Sequence, residues 1–323
     1  MNLPRPETLP YFDRTAVRGA VSWSTAVAAL EHALRNDVDP EDDSPRLFSP
    51  VPNGDFLLMP AAGRRYSGIK ALTVAPTNPA RELEKIQGVY ILFDSDTLSP
   101  LATMDGNELT AIRTPATTLL AVKQILASTP EGTRRGNEEH RVLVFGTGVQ
   151  ALNHLRAAHA LLPGYSLAVV GRRPQHVAEL ISRLDSEGVE VHPATERDVC
   201  EADVVICATS SSTPLFDGGL VSPGAVVAAI GQHGLDAREV DARLVLRSDV
   251  VVEGRASALR EAGDLIPARS AEEWKAIRPA NLRDLVTGDF VRSPGKPALY
   301  AGVGMAWEDL VTAALVYEGG TRS

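Results

Sequence analysis

A β-favouring run, Arg141-Val142-Leu143-Val144-Phe145, leads directly into Gly146-Thr147-Gly148-Val149-Gln150-Ala151, and a helical pattern follows. This order of strand, glycine turn and helix start suits the binding of a dinucleotide pyrophosphate. Gly146 permits the tight turn out of the strand. Gly148 has no Cβ, so a phosphate can approach the backbone. Ala151 replaces the usual third glycine and is small enough for close helix–strand packing. The unpaired N–H groups and dipole of the new helix favour the phosphate charge. Gly146, Thr147, Gly148, Val149 and Gln150 are therefore the candidate cofactor-binding residues, against the plainer reading of a packed turn.

The next strand, Leu167-Ala168-Val169-Val170, ends in Gly171-Arg172-Arg173-Pro174. An NAD-preferring site places Asp or Glu here, on the ribose 2′-hydroxyl. Two guanidinium groups stand here instead, and arginine suits a 2′-phosphate. NADP(H) is thus favoured over NAD(H), with Arg172 and Arg173 as its readers. The alternative is that both are solvated loop charges, or only stack on adenine. A further strand ends in Cys207-Ala208-Thr209-Ser210-Ser211-Ser212-Thr213-Pro214. Thr209 and its hydroxyl neighbours suit a nicotinamide ribose, although such residues also form ordinary turns.

The elements that position these residues alternate between strand and helix from about residue 140 onward. Strands are expected at 141–145, 166–170, 203–207, 225–230 and 249–253. Near-continuous apolar runs such as Val226-Val227-Ala228-Ala229-Ile230 fit a parallel sheet buried on both faces. Such a sheet binds its ligand at the carboxyl ends of its strands, where strand order reverses. The first third reads differently. A helix is expected over 22–34. An acidic, proline-flanked stretch at 39–45 reads as a solvated loop. Hairpins follow at 46–59, around Pro52-Asn53-Gly54-Asp55, and at 89–104, with another strand at 69–74 between them. A long helix over 108–127 has Pro115 near its start. A linker-like loop follows at 130–136, and a final helix is expected over 305–316. The fold class is therefore α/β: a Rossmann-type doubly wound parallel sheet plus an α+β domain. Residues 1–120, joined by 301–323, form the α+β domain, and 121–300 the dinucleotide-binding domain.

Composition narrows the function. The 323-residue chain is long enough for two domains. A net charge of −9 argues against nucleic-acid or membrane-surface partners, which need a basic footprint. Two cysteines, Cys200 and Cys207, make no disulfide framework and suit a reducing cytoplasm. Met1-Asn2-Leu3-Pro4-Arg5-Pro6 lacks the apolar core of a secretory signal, and no apolar stretch approaches a membrane span. No metal is expected.

Several segments together resemble the ornithine cyclodeaminase/mu-crystallin family. They are Gly68-Ile69-Lys70, Gly88-Val89-Tyr90-Ile91-Leu92-Phe93-Asp94, Leu109-Thr110-Ala111-Ile112-Arg113-Thr114, the Gly146–Ala151 turn, and Ala229-Ile230-Gly231. Further on come Arg238-Glu239-Val240-Asp241, Leu259-Arg260-Glu261-Ala262-Gly263-Asp264-Leu265, and Gly302-Val303-Gly304-Met305-Ala306-Trp307-Glu308-Asp309-Leu310. They fall in the family's order across nearly the whole chain. The resemblance implies an N-terminal substrate and dimerisation domain, a central nucleotide-binding domain, a C-terminal return, and a homodimer. It also implies a substrate pocket at Arg46, Lys70 and Arg113, which would otherwise read as surface cations. A planar guanidinium holds a carboxylate through two parallel hydrogen bonds. Arg113, near a helix start, and Arg46, on a strand, are then carboxylate clamps. Lys70 polarises a carbonyl or imine, or transfers a proton, with a pKa lowered by two arginines.

Two positions depart from the cyclodeaminase pattern. His233 stands where a cyclodeaminase places its aspartate base, and Leu57 where it carries another acid. His233 is either a base, since histidine titrates near neutrality, or a loop residue shaping the nicotinamide pocket. The leading expectation is an NAD(P)H-dependent oxidoreductase acting on a small α-imino or α-amino acid. The alternatives are an ornithine cyclodeaminase-type lyase using NAD catalytically, and a non-catalytic NADPH-dependent ligand-binding protein.

Overall fold

The structure is a computed structural model and describes residues 8–129, 139–231 and 234–320. The linker-like stretch expected at 130–136, and His233, lie outside them. The chain divides into two units, 1–114 with 305–323, and 115–304.

The first unit opens with a short strand β1 (Tyr11–Phe12) and two helices, α1 (Arg14–Ala20) and α2 (Trp23–Asn36). Ser22 starts α2 by accepting a hydrogen bond from the Thr25 N–H, the usual way of satisfying an orphan first-turn donor. Five strands follow: β2 (Leu47–Val51), β3 (Gly54–Ala62), β4 (Tyr66–Val74), β5 (Ile86–Asp94) and β6 (Pro100–Asp105). They form an antiparallel meander in the order β1-β6-β5-β4-β3-β2, with β1 parallel to β6. Both expected hairpins are present; β3, β5 and β6 run longer than expected, while β2 starts one residue later, at Leu47. Helix α3 (Gly106–Ala127) leaves the sheet. Its Pro115 lies in the helix interior rather than near its start, at the border between the two units.

The second unit alternates as expected. Strand β7 (His140–Phe145) leads to α4 (Val149–Leu161), β8 (Tyr165–Val170), α5 (Pro174–Asp185) and β9 (His192–Pro193). Then come β10 (Val204–Cys207), β11 (Val226–Ala229), α6 (Ala242–Arg247), β12 (Asp249–Val252) and α7 (Arg255–Glu261). Helix α8 (Ala271–Ile277), β13 (Ala280–Asn281), α9 (Leu282–Thr287) and β14 (Ala298–Ala301) complete it. The eight-stranded sheet has the order β13-β12-β14-β11-β10-β7-β8-β9 and every pairing is parallel. Strands β10 and β11 are buried at every residue, which explains their unbroken apolar runs. Strand order reverses between β7 and β10, the place where such sheets take ligands. Helix α10 (Ala306–Gly320) then returns the chain to the first unit.

No helix of the described residues is long and apolar enough to cross a membrane.

Candidate active site

In the first unit, β4 alternates, placing Tyr66, Gly68, Lys70 and Leu72 on its buried face. Lys70 is only 1% exposed, an unusual fate for a lysine. Its register neighbours are Met59 on β3 and Tyr90 on β5, both buried. Lys70 Nζ donates to Asp309 Oδ2 at 2.7 Å and to Thr110 Oγ1 at 3.3 Å. Asp309 and its neighbour Glu308 lie in the first turn of α10, where the helix dipole favours negative charge. Asp43 accepts from the Ala306 and Trp307 N–H groups, each at 3.1 Å, and so caps that helix. The acidic stretch at 39–45 is therefore not simply a solvated loop, because one of its carboxylates locks the start of α10.

Arg113 is the eighth residue of α3, two turns in rather than at its start. Its Nη1 donates to Glu308 Oε2 at 2.7 Å, and its Nε lies 3.4 Å from Asp309 Oδ1. Asp309 thus stands between Lys70 and Arg113, with one carboxylate oxygen toward each. Arg46 immediately precedes β2 instead of lying on it, and its positive charge bears on Lys70. The three expected substrate residues are therefore brought together, along with two acids that spacing alone did not single out.

Burial pulls the Lys70 pKa from 10.5 down to about 8; the Asp309 carboxylate opposes this, and Arg113 and Arg46 reinforce it. The shift has the expected direction, but loss of water is its main cause and the arginines contribute less. Each ion taken from water costs several kcal/mol, so buried pairs of this kind do little for stability and more often mark function. Tyr90 is also pushed well above its ordinary value, by burial and then by the Asp309 charge, so it stays a neutral phenol.

In the second unit, a cleft of about 650 Å³ opens at the carboxyl ends of the central strands. Residues 146–150, Arg172 and Thr209 all line it, together with Ile230 and Gly231. Arg173 does not; it serves as the N-cap residue of α5. Gly146 has φ +121°, and a Cβ there would lie 2.4 Å from the Ala208 carbonyl oxygen, so only glycine fits the turn. A Cβ on Gly148 would meet no protein atom within 4 Å; that space is open to a ligand. Gly148 is also the N-cap of α4, whose first-turn N–H groups have no intrahelical partner. Gln150 Oε1 is buried there without a hydrogen-bond partner. The open space at Gly148 and the first-turn N–H groups of α4 fit a dinucleotide pyrophosphate; Gln150 Oε1, an acceptor, calls for a donor instead. Thr209 donates its N–H and its hydroxyl to Glu239 Oε1, both at 2.7 Å. Glu239 belongs to the Arg238–Asp241 segment, whose function spacing left unassigned.

Comparison with known proteins agrees with this geometry. Delta(1)-pyrroline-2-carboxylate reductase 1 of Burkholderia multivorans is 34% identical over 304 residues, covering 93% of each chain. Delta(1)-pyrroline-2-carboxylate reductase 2 of Burkholderia ambifaria is 32% identical over 305 residues, covering 94% of this chain and 93% of its own. Among solved structures, Thermococcus litoralis Delta(1)-pyrroline-2-carboxylate reductase in complex with NADH and L-proline superposes with a TM-score of 0.81. It covers 97% of this chain and 98% of its own, at 24% identity, and so bears on the fold alone. The model of the ornithine cyclodeaminase/mu-crystallin family matches residues 12–322. The chain therefore belongs to the ornithine cyclodeaminase/mu-crystallin family.

Proposed function

We propose that the protein is an NAD(P)H-dependent reductase of a small cyclic α-imino acid, of the type of Δ1-pyrroline-2-carboxylate. The observation that carries this reading is the buried Lys70–Asp309 pair beside Arg113, in a chain 32–34% identical to proteins named for that reaction. A nicotinamide cofactor, which residues 146–150 and Arg172 would hold, would supply the hydride that C2 of the imine needs. Arg113 and Arg46 hold the substrate carboxylate and orient C2. Lys70, with its pKa near 8, is protonated at neutral pH and delivers a proton from Nζ to the imine nitrogen. The C=N bond thereby gains one hydride and one proton and becomes an amine. Asp309 accepts a hydrogen bond from Lys70 and steadies its charged form before transfer. Tyr90 and Met59 flank Lys70 and exclude water from it.

Cyclodeamination of ornithine is the weaker reading. The distal ammonium of ornithine needs an anion when buried. Leu57, itself buried, stands at one position expected to be acidic, and Glu308 and Asp309 already serve Arg113 and Lys70. NADP(H) is preferred over NAD(H), a reading supported by Arg172 in the cleft and by the absence of an acid directly after β8. The working form is a homodimer. In support, β2 is an edge strand carrying Leu47 and Phe48, which are 55% and 60% exposed, beside Phe56 on β3. Neither the exposed Cys200 nor the buried Cys207 is in a disulfide, which suits a reducing cytoplasm.

The test is to supply purified protein with Δ1-pyrroline-2-carboxylate and NADPH, and separately with L-ornithine and catalytic NAD. Loss of NADPH absorbance matched by proline, with little ammonia from ornithine, is the expected result. Rapid release of ammonia and proline from ornithine would overturn it in favour of the lyase. Tight NADPH binding without turnover of any imino acid would favour the ligand-binding protein.

A further inference from the structure

Glu239 is fully buried in the second unit, between β11 and α6. Its carboxylate bridges two strands. Oε1 accepts the N–H and the hydroxyl of Thr209, and Oε2 accepts the Gly231 N–H, all at 2.7 Å. Thr209 follows β10 and Gly231 follows β11, so one side chain ties together the carboxyl ends of two adjacent parallel strands. Both residues line the dinucleotide cleft. The Glu239 backbone is itself fixed: the Glu239 and Val240 N–H groups donate to Asp264 Oδ1 at 2.5 and 3.0 Å, and the Glu239 carbonyl accepts from Leu215 N–H at 2.8 Å.

The sheet order says what this clamp serves. From β7 the chain moves outward through β8 and β9, then returns to β10 and β11 on the other side. A dinucleotide lies across that reversal with one nucleotide on each half. Arg172, after β8, marks the adenosine half. Thr209 and Gly231 mark the nicotinamide half.

We propose that Glu239 is a positioning residue for the nicotinamide half of the cofactor: it holds the ends of β10 and β11 at the spacing that half requires. The inference rests on the dinucleotide reading above. Among the described residues, Glu239 touches the cleft through Thr209 and Gly231.

The test uses Glu239→Gln and Glu239→Asp in the full chain, with Kd measured for NADPH and for ADP. Glutamine has one acceptor oxygen and one N–H₂ donor. Whichever way it turns, a donor faces either the Thr209 or the Gly231 amide. Aspartate keeps the charge but is one methylene too short to reach both. Each variant should weaken NADPH by about tenfold or more, the cost of a lost charge-assisted hydrogen bond. ADP occupies only the adenosine half and should bind with wild-type affinity. Should Glu239→Gln fail to fold, Glu239→Asp gives the same reading. NADPH affinity equal to wild type would overturn the proposal. Equal weakening of ADP and NADPH would also overturn it, since that marks general damage to the fold. Failure of the wild-type protein to bind NADPH would refute the dinucleotide reading itself, a distinct result.

Discussion

The two units bury charge in opposite ways. In the first, Lys70 and Arg113 are paired with Asp309 and Glu308, side chain to side chain. In the second, Glu239 and Asp264 are held largely by main-chain N–H groups. Burial drives the Glu239 pKa up to about 7 against the pull of Thr209 and Gly231, and it also raises Asp264. The physical consequence differs. Amide dipoles are fixed by the fold and cannot exchange protons, so they make Glu239 a brace. A lysine and a carboxylate can exchange a proton with each other or with a substrate, so their pair is suited to chemistry.

Breaking the first arrangement should have the largest effect. Lys70→Met keeps the stem and removes the proton. It should lower kcat for imine reduction by about 10²–10⁴, the usual contribution of a general acid, with NADPH affinity unchanged by fluorescence titration. Near-normal kcat in a folded variant would remove Lys70 from the chemistry. Glu308→Leu leaves the Arg113 guanidinium buried beside a lost partner. Stability measured by denaturant titration should fall by about 3–5 kcal/mol; a loss under about 1 kcal/mol would mean that the other partners of Arg113, Asp309 among them, satisfy its charge. Arg172→Ala with Arg173→Ala lies at the exposed end of the comparison. Stability should change little, while NADPH binding weakens by about 1–3 kcal/mol and NADH much less. Equal loss for both cofactors would sink the 2′-phosphate assignment.

What could be read in advance follows the range of the interactions involved. The glycine turn after β7 is a contiguous segment with a short-range cause, and it forms as expected. The parallel strands showed in their apolar runs, because a sheet buried on both faces needs no alternation. The two-residue strands β1, β9 and β13 are too short to carry a period. In the site, the family resemblance assigned roles to the cations but none to Glu308 and Asp309, although both stand in a segment that carries it. Glu308 and Asp309 lie 195 and 239 positions from Arg113 and Lys70, and in sequence they look like ordinary first-turn acids of a helix. Asp43 was hidden in the same way: an acidic loop near prolines looks solvated until a helix N-terminus docks on it. Glu239 sat inside a quoted segment with no visible purpose, because its purpose lies in two strand ends that only the sheet brings together.

The proton-donor claim is tested most directly by the pH dependence of kcat/KM for the imino acid at saturating NADPH, in the wild type and in Asp309→Asn, because kcat/KM reports groups as they stand before substrate binds. Burial sets the Lys70 pKa at about 8, with Asp309 raising it and the arginines lowering it. The protonated lysine is the acid, so kcat/KM should fall as pH rises through about 8. Asp309→Asn removes the negative charge that favours the protonated form, so the same fall should move to lower pH. A wild-type kcat/KM that stays flat through pH 8, or a fall at the same pH in both proteins, would contradict Lys70 as the proton donor held by Asp309.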